Sequence, residues 1–148
     1  MTTSASSHLT VITGASRGLG RAMAEQLLQA GHTVLGIARK SSPELAEAPK
    51  AGGAELTQWE QDLSDPVAAA ARLSDWLRTL DGQRFDSVTL INNAGTVGNP
   101  APLSRAVPAE LAQALRIGLE APMLLTAAFL GGTREWRGAR KVLNISSG

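Results

Sequence analysis

The sequence predicts an α/β fold: a doubly wound, Rossmann-type sheet of five parallel strands in the order 3-2-1-4-5, with helices on both faces. Three observations carry this reading. Short apolar, β-branched runs alternate along the chain with longer stretches of helical periodicity. Those short runs are almost continuously apolar, the pattern of strands covered on both faces in a parallel sheet. The first of them, Leu9–Thr13, feeds a glycine-rich turn that opens directly into a helix.

Size and composition bound what such a chain can do. Its 148 residues make one domain, enough to bury roughly 68–70% of the unfolded surface around a single core. A formal net charge of +1 with no basic run argues against a nucleic-acid partner. There is no cysteine, and His8 and His32 read as isolated, satisfied side chains, so no metal site is expected. The start, residues 1–7, lacks a basic and an apolar region and reads as a frayed terminus rather than a signal peptide. No uninterrupted apolar run approaches the ~18 residues that span a bilayer, so no membrane partner is expected and the default is a soluble, cytoplasmic protein.

The first turn is a phosphate-binding device by its physics. Glycine at 14 and 18 permits backbone angles closed to other residues, and Gly20 lets the helix lie against the strand. The helix beginning near Gly18 presents free N–H groups and the positive end of its dipole to an anion, with no lysine needed. Its apolar face repeats at Leu19, Ala22, Met23, Leu27 and Ala30, and Gly31 ends it. A second apolar run, Thr33–Ala38, stops at Arg39-Lys40. Where NAD-binding units place an acid on the ribose, this strand ends in Ala38 and Arg39, which points to a 2′-phosphate and NADP(H).

Residues 41–53 read as a surface connection with one helical turn, and a third strand is weakly signalled over Ala54–Glu60. Ser64 or Asp65 caps the next helix, whose first turn accepts Pro66 and which runs to Leu80, with Asp81-Gly82 ending it. Trp59, Trp76 and Trp136 read as packing residues outside any aromatic cluster. Strand four, Ser87–Ile91, runs into Asn92-Asn93-Ala94-Gly95 at the carboxyl edge of the sheet, where open α/β sheets bind ligands. Pro108 opens a long helix to about Leu130, closed by Gly131-Gly132, and Lys141–Ile145 is strand five, expected as an uncovered edge.

Taken in order, Thr13-Gly-x-x-x-Gly-x-Gly20, Asp62-Leu63, Asn92-Asn-Ala-Gly95 and Asn144-Ile-Ser-Ser147 resemble the short-chain dehydrogenase/reductase family. The resemblance covers the chain from Leu9 onward. It implies that residues 1–148 are an NADP(H)-binding domain forming the N-terminal part of a longer fold, with the family's last strands absent. It further implies that Gly14, Ser16, Arg17, Gly18 and Leu19 line the cofactor phosphates. Arg39 would meet the 2′-phosphate, Asp62 and Leu63 the adenine, and Asn92, Ala94 and Gly95 the nicotinamide side. Ser147 matches the serine that orients the substrate carbonyl, and the substrate would be a small-molecule carbonyl or alcohol. The family often forms oligomers through the helix that corresponds to 108–130 here. Residues 93–98 and 121–126 look similar to the sepiapterin- and benzil-reductase branch, a pointer toward a dicarbonyl.

The sequence departs from the family pattern twice. The family's tyrosine and lysine are expected on a Tyr-x-x-x-Lys helix beyond Ser147, and this chain has no tyrosine. Alone it is expected to bind cofactor and to be inactive or nearly so. The second departure is Gly118, where the family usually carries an asparagine whose main-chain carbonyl anchors a water of the proton relay. Pro122 has no N–H for the carbonyl four residues back, so the Gly118 carbonyl is freed even without the asparagine; the alternative is a glycine-weakened helix with no role in catalysis. Two other functions stay open at this point: a non-enzymatic NADP(H)-binding module, and a methyltransferase-type nucleotide fold, which the arginine at 39 disfavours.

Overall fold

The structure, a computed structural model, describes residues 7–96 and 100–146. Five strands, β1 (His8–Thr13), β2 (Thr33–Ala38), β3 (Glu55–Glu60), β4 (Ser87–Asn92) and β5 (Ala139–Asn144), form one sheet in the order β3-β2-β1-β4-β5. Every pairing is parallel. The expected doubly wound order is the observed one.

Alternation along the central strands divides the core between the two faces of the sheet. Leu9, Val11, Leu35, Ile37, Val88 and Leu90 pack under α3 (Pro66–Arg78) and α5 (Ala121–Gly132). Ile12, Val34 and Ile91 pack under α1 (Gly18–Gln29) and α2 (Pro43–Ala46). Residues 41–53 are therefore more than a surface connection. Ser42 caps α2 by accepting the Leu45 N–H at 3.1 Å, and Leu45 is fully buried.

Helix ends follow their local chemistry with two exceptions. Gly31 (φ +90°) closes α1 in a Schellman motif, with the Gly31 and His32 N–H groups on the Leu28 and Leu27 carbonyls. Asp65, not Ser64, caps α3 by accepting the Ala68 N–H. That helix stops at Arg78 rather than Leu80, and Gly82 is not its terminator. Asp81 starts a short 3-10 turn there, and Gly82 has no β-carbon because the Trp136 indole occupies the space. The last helix likewise runs through Gly131 and Gly132, and a β-carbon on Gly132 would press on Leu77 of α3.

The tryptophans are packing residues, but they are paired. Trp59 meets Trp76 edge to face at 5.7 Å, and Trp136 stacks on Phe85 at 5.8 Å. The histidines are not isolated either. Leu9 sits opposite Thr33 in the β1–β2 register, so the residues just before them meet, and the His8 and His32 ring centroids are 4.8 Å apart. Among the described residues no group of three or more metal-ligating side chains accompanies them.

The long helix is α4 (Pro108–Leu115), a π-helical segment Arg116–Glu120, and α5, continuous over Pro108–Gly132. It has 25 residues, and an 18-residue stretch within it has a mean hydropathy of 1.3, long and apolar enough to cross a membrane by length and composition. The expectation of no such stretch looked for an unbroken apolar run, which Glu110, Arg116 and Glu120 interrupt. Ala121, Leu125 and Phe129 form a fully buried stripe against the sheet and α3, while Leu115, Leu119 and Met123 are exposed. All of β5 is exposed, as expected of the sheet edge.

Candidate functional site

The glycine turn joins β1 to α1 with its backbone in the left-handed region at Gly14 (φ +68°) and Gly18 (φ +57°). A β-carbon on Gly20 would run into the Gly14 carbonyl and the Asn93 amide, so the helix can approach only with glycine there. At Gly18 a β-carbon would meet nothing within 4 Å, and Arg17, Gly18 and Leu19 are exposed. The turn is closed on its protein side and open on its outer side.

The N-terminus of α1 differs from those of α2 and α3; α4 is likewise uncapped but carries Glu110 in its first turn. Ser42 caps α2 and Asp65 caps α3 with a side-chain oxygen. Arg17, the residue at the N-cap of α1, makes no side-chain cap bond, and no acid stands in the first turn. The first N–H groups of a helix have no intrahelical acceptor. The space beside Gly18 at this end is open, and the helix dipole lies behind it, which suits an anion.

Two strands hold this turn in place. Gly14 donates its N–H to the Ile37 carbonyl of β2 at 2.8 Å. Thr13, which is buried, accepts the N–H groups of both Asn93 and Ala94 at 2.9 Å. Asn93 returns a bond from Nδ2 to the Gly14 carbonyl at 3.3 Å. The Asn93-Ala94 segment after β4 is thus fastened to the end of β1 and the glycine turn by side-chain to backbone bonds in both directions.

The ends of β2 and β3 form the next wall. Ala38 pairs with Glu60, and the Gln61 N–H continues the ladder onto the Ala38 carbonyl at 2.8 Å. Arg39 and Lys40 are exposed just beyond. Asp62 accepts the Ser64 N–H at 2.9 Å. That bond, the Ser64 hydroxyl and the Arg39 guanidinium hold its carboxyl below the usual range. The Leu63 side chain belongs to the core, leaving its backbone for the site.

On the other side of the β4 end lies a cleft of about 640 Å³ between β5 and the π segment. It brings together Asn92, Ala94 and Gly118, which the sequence singled out, with Thr126 and Asn144. Asn92 is buried and donates from Nδ2 to Asn144 Oδ1 at 2.9 Å and to Thr126 Oγ1 at 3.3 Å, while its own Oδ1 is buried without a donor among the described residues. Thr126 was not anticipated; only its spacing from the buried stripe of α5 hints at it. Gly118 sits inside the π segment, whose Ala121 N–H reaches back to the Arg116 carbonyl. Pro122 follows at once and cannot donate, the local reason for the departure from α geometry. Gly95 is open on its β-carbon side, Ser16 is half-buried on the turn, and Ser147 lies outside the described residues.

A sequence profile of the family described as short chain dehydrogenase matches residues 8–148. A benzil reductase ((S)-benzoin forming) of Bacillus cereus is 36% identical over 138 residues, 93% of this chain and 55% of the relative. A sepiapterin reductase of Xenopus laevis is 31% identical, covering 95% of this chain and 57% of its own. Among solved structures, a short-chain dehydrogenase/reductase from Burkholderia vietnamiensis superposes with a TM-score of 0.83 at 39% identity, over 95% of this chain and 66% of that one. A metagenomic short-chain oxidoreductase solved in complex with NADP gives 0.78 at 33% identity, over 95% and 62%. The chain spans about half the length of the curated relatives it matches.

Proposed function

This chain belongs to the short-chain dehydrogenase family, and on that premise we propose that it is the NADP(H)-binding portion of an oxidoreductase acting on a small carbonyl or alcohol. One observation carries the reading. The α1 N-terminus is uncapped among the described residues and stands behind a turn with two left-handed glycines, open on its outer side. That arrangement suits a pyrophosphate, with Gly14, Ser16, Arg17, Gly18 and Leu19 around it.

The choice of NADP(H) is supported by Ala38 where an acid would serve a ribose hydroxyl, and by the exposed Arg39 that follows. Asp62, with the Leu63 backbone, would hold the adenine, and Asn92, Ala94 and Gly95 the nicotinamide side. The bound nucleotide supplies or accepts the hydride. This chain's own residues bind and orient: Ser147 positions the carbonyl oxygen, and the Gly118 carbonyl in the π segment anchors a relay water. The family's tyrosine is not among these residues. An absent general acid removes about 10²–10⁴-fold of rate, so these residues by themselves would bind cofactor and be inactive or nearly so. The likeness to benzil and sepiapterin reductases favours a dicarbonyl substrate. A homo-oligomer through the exposed face of residues 108–130 and a soluble, cytoplasmic setting complete the reading.

The test is calorimetric titration of this chain with NADPH and NADH, with Arg39→Ala beside it. Micromolar NADPH binding that weakens at least about tenfold in the variant is expected, the loss of a charge-assisted phosphate contact. Binding of neither nucleotide would overturn the reading.

A further inference from the structure

We propose that Glu60 limits how strongly this chain prefers the phosphorylated nicotinamide nucleotide, because its carboxylate, held on the Ser41 amide, sets a negative charge beside the cations that the added phosphate would meet. The inference rests on the cofactor reading above and adds to it a residue of β3 that sets selectivity.

The end of β2 carries no acid, yet an acid stands beside it: Ala38 and Glu60 are register partners across β2 and β3. The Glu60 side chain turns toward the loop after β2, where Oε2 accepts the Ser41 N–H at 3.2 Å. Ser41 lies two residues beyond Arg39 and next to Lys40. The following amide, Ser42 N–H, is taken by Gln58 Oε1 at 2.8 Å, and Gln58 Nε2 returns a bond to the Ser42 carbonyl at 3.0 Å. Two alternate residues of β3 thus fasten the same loop. One does so with a neutral amide and the other with a charge.

That difference is the point. A glutamine at 60 would accept the same N–H, so the loop needs the acceptor and not the charge. The strand end is itself held, since Arg72 Nη1 donates to the Glu60 carbonyl at 3.2 Å and its guanidinium lies over the Trp59 ring. The charged groups around this loop are Arg39, Lys40 and Arg72 against Glu44, Glu60 and Asp62; Arg72 is engaged by the Glu60 carbonyl and the Trp59 ring, Glu44 by the Ser42 hydroxyl and Asp62 by the Ser64 N–H, which leaves Arg39 and Lys40 facing the Glu60 charge. A phosphate monoester, carrying about −1.5 to −2 charge, gains from Arg39 and Lys40 and is opposed by the Glu60 charge. A nucleotide with a free ribose hydroxyl at that position meets none of this opposition. Glu60 therefore acts on one cofactor and not on the other.

The full chain and its Glu60→Gln variant would be titrated with NADPH and with NADH by calorimetry, at low salt and again near 0.5 M salt. The variant should bind NADPH about threefold to tenfold more tightly, with NADH unchanged within about twofold and the gain shrinking at high salt, as for exposed charges. NADPH affinity that is unchanged or weaker, a gain that ignores salt, or NADH weakening in step with the NADPH gain would overturn the proposal, the last by making Glu60 a ribose acceptor. Parent chain that binds NADPH through Arg39 but is indifferent to Glu60→Gln overturns this inference alone. Parent chain that binds neither nucleotide overturns it together with the cofactor reading.

Discussion

Thr13 Oγ1 accepts the backbone N–H of Asn93 at 2.9 Å, joining two strand ends that lie 80 residues apart in the chain. The same oxygen takes the Ala94 N–H, so one hydroxyl satisfies two half-buried donors and fixes the spacing between the glycine turn and the segment after β4.

Thr13→Val keeps the shape of that side chain and removes the acceptor. Two backbone donors would be left without their partner, at about 1–3 kcal/mol each where water cannot replace it. Urea denaturation should show a loss of that order, with weaker NADPH binding beside it. A variant within about 0.5 kcal/mol of the parent would mean that the hydroxyl is not what couples the two strand ends.

Gly20→Ala and Gly18→Ala separate space from backbone conformation. At position 20 the new methyl meets the Gly14 carbonyl, and helix or turn must move. At position 18 the space is open and only the left-handed backbone resists, at about 1–2 kcal/mol. Gly20→Ala should be the more destabilising in denaturant. The reverse ranking would show that the helix is not held against the turn as described.

The histidine pair predicts a pH dependence. Partial burial, and then the neighbouring His8 ring, hold the His32 pKa below its ordinary 6.5. In the window below 6.5 and above that lowered value the unfolded chain binds more protons than the folded one. Stability contributed by His32 is therefore complete above 6.5 and is lost as the pH falls through the window. Denaturation midpoints measured across about pH 5 to pH 8 should fall on the acid side, and His32→Gln should flatten that side. An equally steep acid limb in the variant would assign the loss to other groups.

Leu115, Leu119 and Met123 lie four residues apart and are 62%, 57% and 63% exposed along the long helix. Residues at that spacing share one helix face. If copies of the chain associate there, the parent sediments above its monomer mass of 15.4 kDa, and Leu119→Glu returns it to that mass with its fold intact by circular dichroism. A parent that is monomeric at all concentrations would rule the face out as a self-association surface.

Much of the fold is legible because its signals are local. Thr33–Ala38 is bounded as the residues suggest, with Gly31 before it and Arg39-Lys40 after it. Asp65 and Pro66 mark a helix start, and Pro108 marks another. The glycines at 14, 18 and 20 can be read from spacing, since a left-handed turn and a close helix approach need residues without a β-carbon. The family resemblance rests on the same short motifs. Residues whose roles depend on distant partners stay silent in the sequence: Gly82 looks like a helix terminator until Trp136 is seen above it, and Leu45 looks exposed until α2 is folded onto the sheet.

Read from residues alone, the strand and helix pattern, the left-handed glycine turn, the absence of an acid at the end of β2 and the absence of a tyrosine are all legible. Each of these is a property of a few consecutive residues or of the composition. The meeting of His8 with His32, the Glu60 carboxylate on the Ser41 amide, and the polar cluster of Asn92, Thr126 and Asn144 at the cleft exist only once the chain is folded. The first two are set by the parallel register of β1, β2 and β3, and the third by the pairing of β4 with β5 and the seating of α5. Register follows from burying whole faces of the sheet at once, and no short stretch of residues encodes it.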